Sequence, residues 1–400
     1  MRPALSEAVV HRVTVWPLQI PLRWRVCHAS AQRTVSDPIV VELELTNGVT
    51  GYGEAVPRSY LTGETAESVD VAISMDLVPA ISTLRASTFS EALEAAERLP
   101  WLDHNEEPMP SARAAVELAL LDAVMRTFRR TMNDVVQWME LTAFGTPGSM
   151  DHIRFSGLLA TEDASLLMRQ LRKLYWRGFK DVILKVGMPG DAERLEKVWA
   201  YLKKPLRGGR MSLRLDANGR WSAGAARKWF AQCSHMTIAA WEQPLSRGDE
   251  DDLPEFREFL KIPLIHDESL TNAEDAQRLV DLGVADAFNI RINKCGGLLP
   301  SLRLAEIARR AGARIALGCM IAETSILSAA GLRFLQVCPK VPWAEGCFGR
   351  WLLSSDVVRK SLTSGLGGRP PKLSELGWGI EVERARLEAL CDGHSRVFQL

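Results

Sequence analysis

SLRLDANGRW, residues 212–221, reads as a strand that runs into a carboxylate and then a turn. Ser212 to Leu215 read as the end of a strand, Asp216 stops the run, and the small, turn-prone Ala217, Asn218 and Gly219 follow. One polar strand end is ordinary. The same event recurs at regular intervals down the chain, and that recurrence decides the fold.

Beyond residue 150 short apolar segments alternate with amphipathic helical patterns. RFSGLL, DVILK, SLRLD, TIAAWE, IPLIHD, AFNIRINK, RIALG and VPWAEG read as strands. Between them lie helical patterns such as DAERLEKVWAYLKK, NAEDAQRLVDLG and SLRLAEIARRAG. The second has Asn272 as its cap and Gly283 past its end. Some eight βα units over 150–375 predict an α/β fold, a parallel (β/α) barrel of the TIM type with seven to eight units. The open doubly wound sheet is the alternative, and the missing GxGxxG after the first strand counts against it.

Residues 1–145 predict a compact α+β module. VHRVTVWPLQI (10–20) and PIVVELELT (38–46) alternate like antiparallel strands, Asn47-Gly48 signals a turn, and a short strand leads to Gly53-Glu54-Ala55. Helical patterns fill about 64 to 140, SARAAVELALLDAVMRTF (111–128) above all. The tail, 376–400, is expected to return to this module.

Bulk composition narrows the function. Of 400 residues, 49 are Lys or Arg and 49 Asp or Glu, so the net charge of zero offers no electrostatic footprint for nucleic acid or an anionic membrane. No apolar run approaches the ~20 residues of a membrane span, and the first residues lack the apolar core of a secretory signal. The seven scattered cysteines contain no CxxC and read as reduced thiols of a cytoplasmic protein. No HxH or HExxH pair marks a zinc hydrolase.

Lys185, Asp216, Glu242, Asp267 and Lys294 close consecutive predicted strands, at spacings of 31, 26, 25 and 27 residues. In a parallel barrel such ends converge on the active-site face. Three carboxylates there repel one another unless a cation lies between them, and an oxygen-only donor set suits Mg²⁺. The flanking lysines fall on the second and sixth strands, facing each other across the acids, which suits removal and return of a proton α to a carboxylate through an enediolate. A free lysine near pKa ~10.4 is protonated at neutral pH, so the base needs desolvation or a neighbouring cation.

At these residues the chain resembles the enolase superfamily and, within it, the muconate-lactonizing subgroup of the mandelate racemase/muconate lactonizing enzyme family. The resemblance runs from Gly53-Glu54-Ala55 through KVG (185–187), LDANGRW, WEQPL and DES (267–269) to NKCGGL (293–298). It implies Asp216, Glu242 and Asp267 as Mg²⁺ ligands, with Asn218 and Glu268 supporting them, and Lys185 and Lys294 as the paired acid and base. It makes residues 1–145 a capping domain whose loops, about 17–35 and 56–65, select the substrate. Arg58, Tyr60 and Thr62 are candidate substrate contacts there, and Glu323 is another at the seventh strand end. Two departures stand out. Ile183 occupies the first position of the subgroup's usual Lys-x-Lys, and WAEGCFGRW replaces the Asp-x-Asp with which its dipeptide epimerases hold an amine; Glu345 is the acid that could substitute.

The expected function is a Mg²⁺-dependent racemase or epimerase of a small carboxylate, N-acyl amino acids being one class. Cycloisomerisation like that of muconate cycloisomerase, or β-elimination like that of o-succinylbenzoate synthase, would use the same residues. A rival of another kind is a metal-binding protein that has lost turnover, which Ile183 alone favours. The resemblance also implies a homo-oligomer.

Overall fold

A computed structural model describes residues 7–28, 31–144, 150–338, 340–374 and 376–400. The capping region carries β1 (Ala8–Pro17), β2 (Ile20–His28), β3 (Ala31–Ser36), β4 (Ile39–Leu45), β5 (Thr50–Ala55) and the short β6 (Arg85–Ala86). β1, β4 and β5 lie side by side and antiparallel, with Val13 opposite Leu43 and Val41 opposite Gly53. The β4–β5 turn falls at Asn47-Gly48, where Gly48 has φ 80° and the Asn47 side chain accepts from the Val49 N–H at 2.9 Å.

The helix Pro110–Phe128 lies across this sheet, buried on nearly all sides. Gly51 and Gly53 of β5 face it so closely that a Cβ at either position would overlap its backbone at Ala115, Ala119 or Ala123. This close approach explains the two glycines of GYGEA. The helix starts at Pro110, and Glu64 from outside the helix accepts from the free N–H groups of Ser111 and Ala112 at 2.8 and 3.0 Å.

The segment expected as a loop over 17–35 is instead a β2–β3 hairpin; residues 29 and 30 lie outside the described residues. Ile20, Leu22, Trp24 and Val26 alternate, so a strand signal was present. The hairpin rests on the barrel: Leu22 bridges Leu353, and the Ser36 hydroxyl donates to the Ala322 carbonyl at 2.7 Å.

Eight parallel strands follow: β7 (Gly157–Leu159), β8 (Asp181–Lys185), β9 (Ser212–Asp216), β10 (Ala240–Glu242), β11 (Leu264–His266), β12 (Ala287–Ile290), β13 (Arg314–Leu317) and β14 (Trp343–Ala344). They pair in chain order, and a parallel bridge between Phe155 and Ala344 joins the last strand to the start of the first. Each of the first seven is followed by a helix, whereas β14 leads only to the four-residue turn of helix Gly349–Leu352. β15 (Arg396–Gln399) returns to pair antiparallel with β1. The position near 145 expected as the junction lies beside residues 145–149, which are outside the described residues.

Buried carboxylates of the capping region seal the helix N-termini of the barrel. Glu54 accepts from the N–H groups of Thr324 and Leu327, at 2.7 and 3.0 Å, at the start of helix Ser325–Val337. Glu117 accepts from Leu298 and Leu299, at 2.5 and 3.2 Å, at the start of helix Leu298–Arg310. Anions belong at such ends, where the helix dipole is positive. Burial nevertheless raises both carboxyls from 4.5 to about 7. No helix among the described residues is long and apolar enough to cross a membrane.

Candidate active site

The strand-end acids come from neighbouring strands. Lys185 pairs in register with Asp216, and Asp216 with Glu242, so β8, β9 and β10 carry their charged ends side by side. Asp267 is the first residue past β11. Lys294, expected to close a strand, does not: β12 ends at Ile290, and Lys294 sits four residues on, in a turn before the next helix. The reason lies in its neighbour Asn293. That side chain accepts from the Val56 N–H at 2.8 Å and donates to the Ser111 hydroxyl at 3.0 Å, which ties the turn to the capping region.

Each acid is held by a cation of the protein. Lys185 is ion-paired with Asp216. Lys294, fully buried, donates to the Asp267 carboxylate at 2.8 Å and to the carbonyls of Asp267 and Asn289 at 2.6 and 3.0 Å. Asp267 is fixed from behind as well, because Gln243 of WEQPL accepts from its N–H at 3.0 Å. Asn218, at φ 46°, takes its N–H to Asp216 at 2.9 Å and its amide to Glu268 at 3.0 Å.

Burial and charge set the protonation. Burial raises Glu242 well above its ordinary range, and Asp216, Glu345 and Asp267 add to the effect. Burial, then Asp267 and Asp216, lifts Glu268 to about 7. Burial also opposes ionisation of Asp267, but Arg291 and Lys294 outweigh it and hold this carboxyl low. For Lys185 burial pulls down, and the Asp216 and Glu242 charges win, so the ammonium is held above its ordinary range. This is opposite to the lowering expected of a base, and charge withdrawn from those two acids would release it.

Two arginines not singled out as site members, Arg214 and Arg291, complete the ring together with Glu345. Arg214, fully buried two residues before Asp216, stands in register with Ile183. Its guanidinium reaches Asp181 at 3.0 Å, Glu345 at 3.3 Å, Glu242 at 3.5 Å and the Ser156 hydroxyl at 2.8 Å. A cation thus lies beside the position where Ile183 departs from Lys-x-Lys, supplied by the next strand. Arg291, just past β12, donates to Asp267 and lies 3.8 Å from Glu242. Period-two spacing from Asp216 and from Asn289 was the available signal for both.

The substrate-contact candidates are placed differently. Arg58 is buried and spends its guanidinium on Asp37 at 2.9 Å and on the carbonyls of Pro57 and Ile321, so it braces the loop. The Thr62 hydroxyl closes the same turn onto the Arg58 carbonyl at 3.3 Å. Tyr60 is 40% exposed. Glu323 is buried, accepts from the Met320 N–H and the Ser328 hydroxyl, and is raised to about 8 by burial and by Glu54. With Arg291 and Glu345 it lines a small cavity.

Donor chemistry fits a hard divalent cation: buried, oxygen-only carboxylates, with the Asn218 amide oxygen and one Glu268 oxygen left without a partner. Among the described residues no three acids gather their oxygens around one point, since each is drawn to its lysine or arginine.

A capped parallel barrel with this ring of acids and lysines is the architecture of the enolase class, and residues 166–386 match the enolase C-terminal domain-like family. Residues 7–136 match the N-terminal domain of mandelate racemase / muconate lactonizing enzyme, and the chain belongs to that family. An N-succinyl-L-Arg/Lys racemase from Bacillus cereus is 25% identical over 324 residues, 80% of this chain and 82% of that protein. The 2-chloromuconate cycloisomerase structure from Rhodococcus opacus superposes with a TM-score of 0.84 at 25% identity, covering 96% of this chain and all of that one. A dipeptide epimerase from Enterococcus faecalis, solved with Mg and L-Leu-L-Tyr, gives 0.77 at 26% identity, over 93% and 99% of the two chains. These relatives are isomerases, and this chain is an enzyme of that kind.

Proposed function

We propose that this enzyme racemises or epimerises a small carboxylate by removing and returning its α-proton, with N-acyl amino acids as the favoured class. The observation that carries the reading is the pair of buried lysines four strands apart in a closed ring of eight, with three acids on or beside the strands between them. A substrate in the ring presents one face of its α-carbon to each lysine. The amine of one takes the proton, the electron pair passes into the carboxylate as an enediolate, and the ammonium of the other returns a proton to the opposite face. Asp216, Glu242 and Asp267 would hold Mg²⁺, and the ion would supply stabilisation of the charge that develops on the carboxylate oxygens. Asn218 and Glu268 orient that ligand set. Arg214 offsets the acid charge beside Ile183, so loss of a lysine there leaves the strand pair with a cation.

Substrate class is argued from the eighth strand. Arg214 already engages Glu345, the acid nearest an amine-holding position, at 3.3 Å, which disfavours a free-amine dipeptide. The acylated substrate in the B. cereus relative's name agrees with that argument. Cycloisomerisation is the second reading, favoured by the likeness to the R. opacus enzyme, with one lysine acting and the other balancing charge.

The test is α-proton exchange in D₂O followed by NMR, with Mg²⁺ and a panel of N-acyl amino acids, dipeptides, hydroxy acids and sugar acids. Exchange with loss of optical activity supports two-lysine racemisation. Exchange with retained configuration transfers support to the one-base reading. No exchange, with Mg²⁺ measurably bound, sinks proton transfer and leaves a carboxylate-binding protein.

A further inference from the structure

We infer that Arg291 is the protein's own counter-cation for Glu242 and Asp267, and that a divalent cation enters this site in competition with it. The inference rests on the metal reading above and concerns a side chain that reading does not use.

Arg291 and Asn289 are two residues apart where the chain leaves β12. Asn289 donates to one Glu242 oxygen at 2.6 Å, and Arg291 approaches that same oxygen to 3.8 Å while donating to Asp267. Both side chains fit because residue 318, just past β13, is glycine. A Cβ there would overlap the Asn289 amide oxygen and come within 2.8 Å of the Arg291 Cγ. The backbone is therefore shaped to admit this guanidinium between two of the three candidate ligand acids.

Lys294 and Arg291 both touch Asp267, yet only one is free to yield. Three acceptors match the three protons of the Lys294 ammonium, and no solvent reaches it. Arg291 carries a buried Nε without a partner. It is thus held by charge with its donors incompletely used, and leaving sacrifices fewer hydrogen bonds. The small cavity it lines also holds Glu323 and Glu345, so an acid remains beside it when it turns from Asp267. A guanidinium and a divalent ion cannot share the same oxygens at full strength, since their charges repel at this range. By linkage, whatever Arg291 contributes to holding the two acids is subtracted from metal affinity.

The experiment is calorimetric titration of Mg²⁺ into EDTA-stripped, dialysed protein, with thermal melts in EDTA and in saturating Mg²⁺. For Arg291→Met, Mg²⁺ should bind more tightly, by about tenfold or more, within the usual range of such couplings. Its melting temperature should fall in EDTA and recover in Mg²⁺, giving a larger metal-induced rise than wild type. Arg291→Lys, which keeps a charge that reaches one carboxylate rather than two, should bind Mg²⁺ with intermediate strength. This second variant decides the matter if the methionine protein does not fold. Affinity equal to or weaker than wild type in a folded variant overturns the Arg291 inference alone. Wild-type protein that takes up neither Mg²⁺ nor Mn²⁺ overturns the metal reading and this inference with it.

Discussion

Lys185 and Lys294 face the same ring of acids but are fixed in different ways. Lys185 ends β8, a strand paired on both sides, and Asp216 stands opposite it in register on β9. Lys294 belongs to no strand; its turn is held by Asn293 on Val56 and by Glu117 on the following helix. The first is positioned by the barrel alone, the second by barrel and capping region together. Positions set by a sheet ladder repeat with the strand and are visible as periodicity. Positions set by partners far away in sequence are not.

Removing each lysine breaks the comparison most sharply. Lys185→Ala and Lys294→Ala should each lower racemisation by between about 10² and 10⁴-fold, the usual worth of a general acid or base. Each should still exchange the α-proton of one enantiomer, and the two variants should spare opposite enantiomers. Exchange in D₂O starting from each pure enantiomer checks this. A variant that loses exchange of both enantiomers would show that the lysines do not divide the two faces.

Glu117→Ala sharpens the comparison from a distance. It strips the acceptor from the Leu298 and Leu299 N–H groups without touching β8. Unsatisfied buried groups should cost about 1–3 kcal/mol of stability, read by urea melts. Loosening the Lys294 turn should slow exchange of the enantiomer served by Lys294 about tenfold, as misplaced catalytic groups do. The other enantiomer should exchange at close to the wild-type rate. Equal losses for both would mean that the capping region supports the two lysines alike.

How much the sequence discloses follows the same division. Alternation of strand and helix, and acids recurring at one βα unit, are local patterns, and they led to the barrel and to Asp216 and Glu242. At the next strand end spacing alone does not choose Asp267 over Glu268, and the family resemblance made that choice. Lys294 was grouped with them through its spacing, although its turn lies beyond the strand. Arg214 and Arg291 went unread because an arginine in a strand pattern looks like a solvated face, and only closure of the barrel turns it inward. Arg58 looked like a loop residue free to meet a substrate. Its burial depends on Asp37 and Ile321, 21 and 263 residues away. The roles of Glu54 and Glu117 needed both ends of an interdomain contact.

The smallest expected effect concerns pH. Burial raises the Glu117 carboxyl from 4.5 to about 7, and Glu54 behaves alike on the neighbouring helix. Such a group binds its proton more tightly folded than unfolded. Its contribution is therefore most favourable at low pH, is lost progressively as pH rises from about 4.5 to about 7, and is flat beyond. At about 1.4 kcal/mol per tenfold in proton affinity, the rise from 4.5 to about 7 corresponds to at most about 3 kcal/mol, and relaxation around the ionised group reduces it to the order of 1 kcal/mol from Glu117 across that window. Glu268 and Glu323 titrate with the same sign, so the wild-type curve by itself does not isolate this carboxyl. Glu117→Gln does: it keeps an oxygen for the helix N–H groups and removes the proton equilibrium. Urea melts at intervals from pH 5 to 8 should show its stability falling less steeply than wild type up to about pH 7, with the two curves parallel above. Curves parallel throughout would mean that Arg113, 3.5 Å away, already holds Glu117 ionised, and that the Lys294 side is fastened by a permanent ion pair.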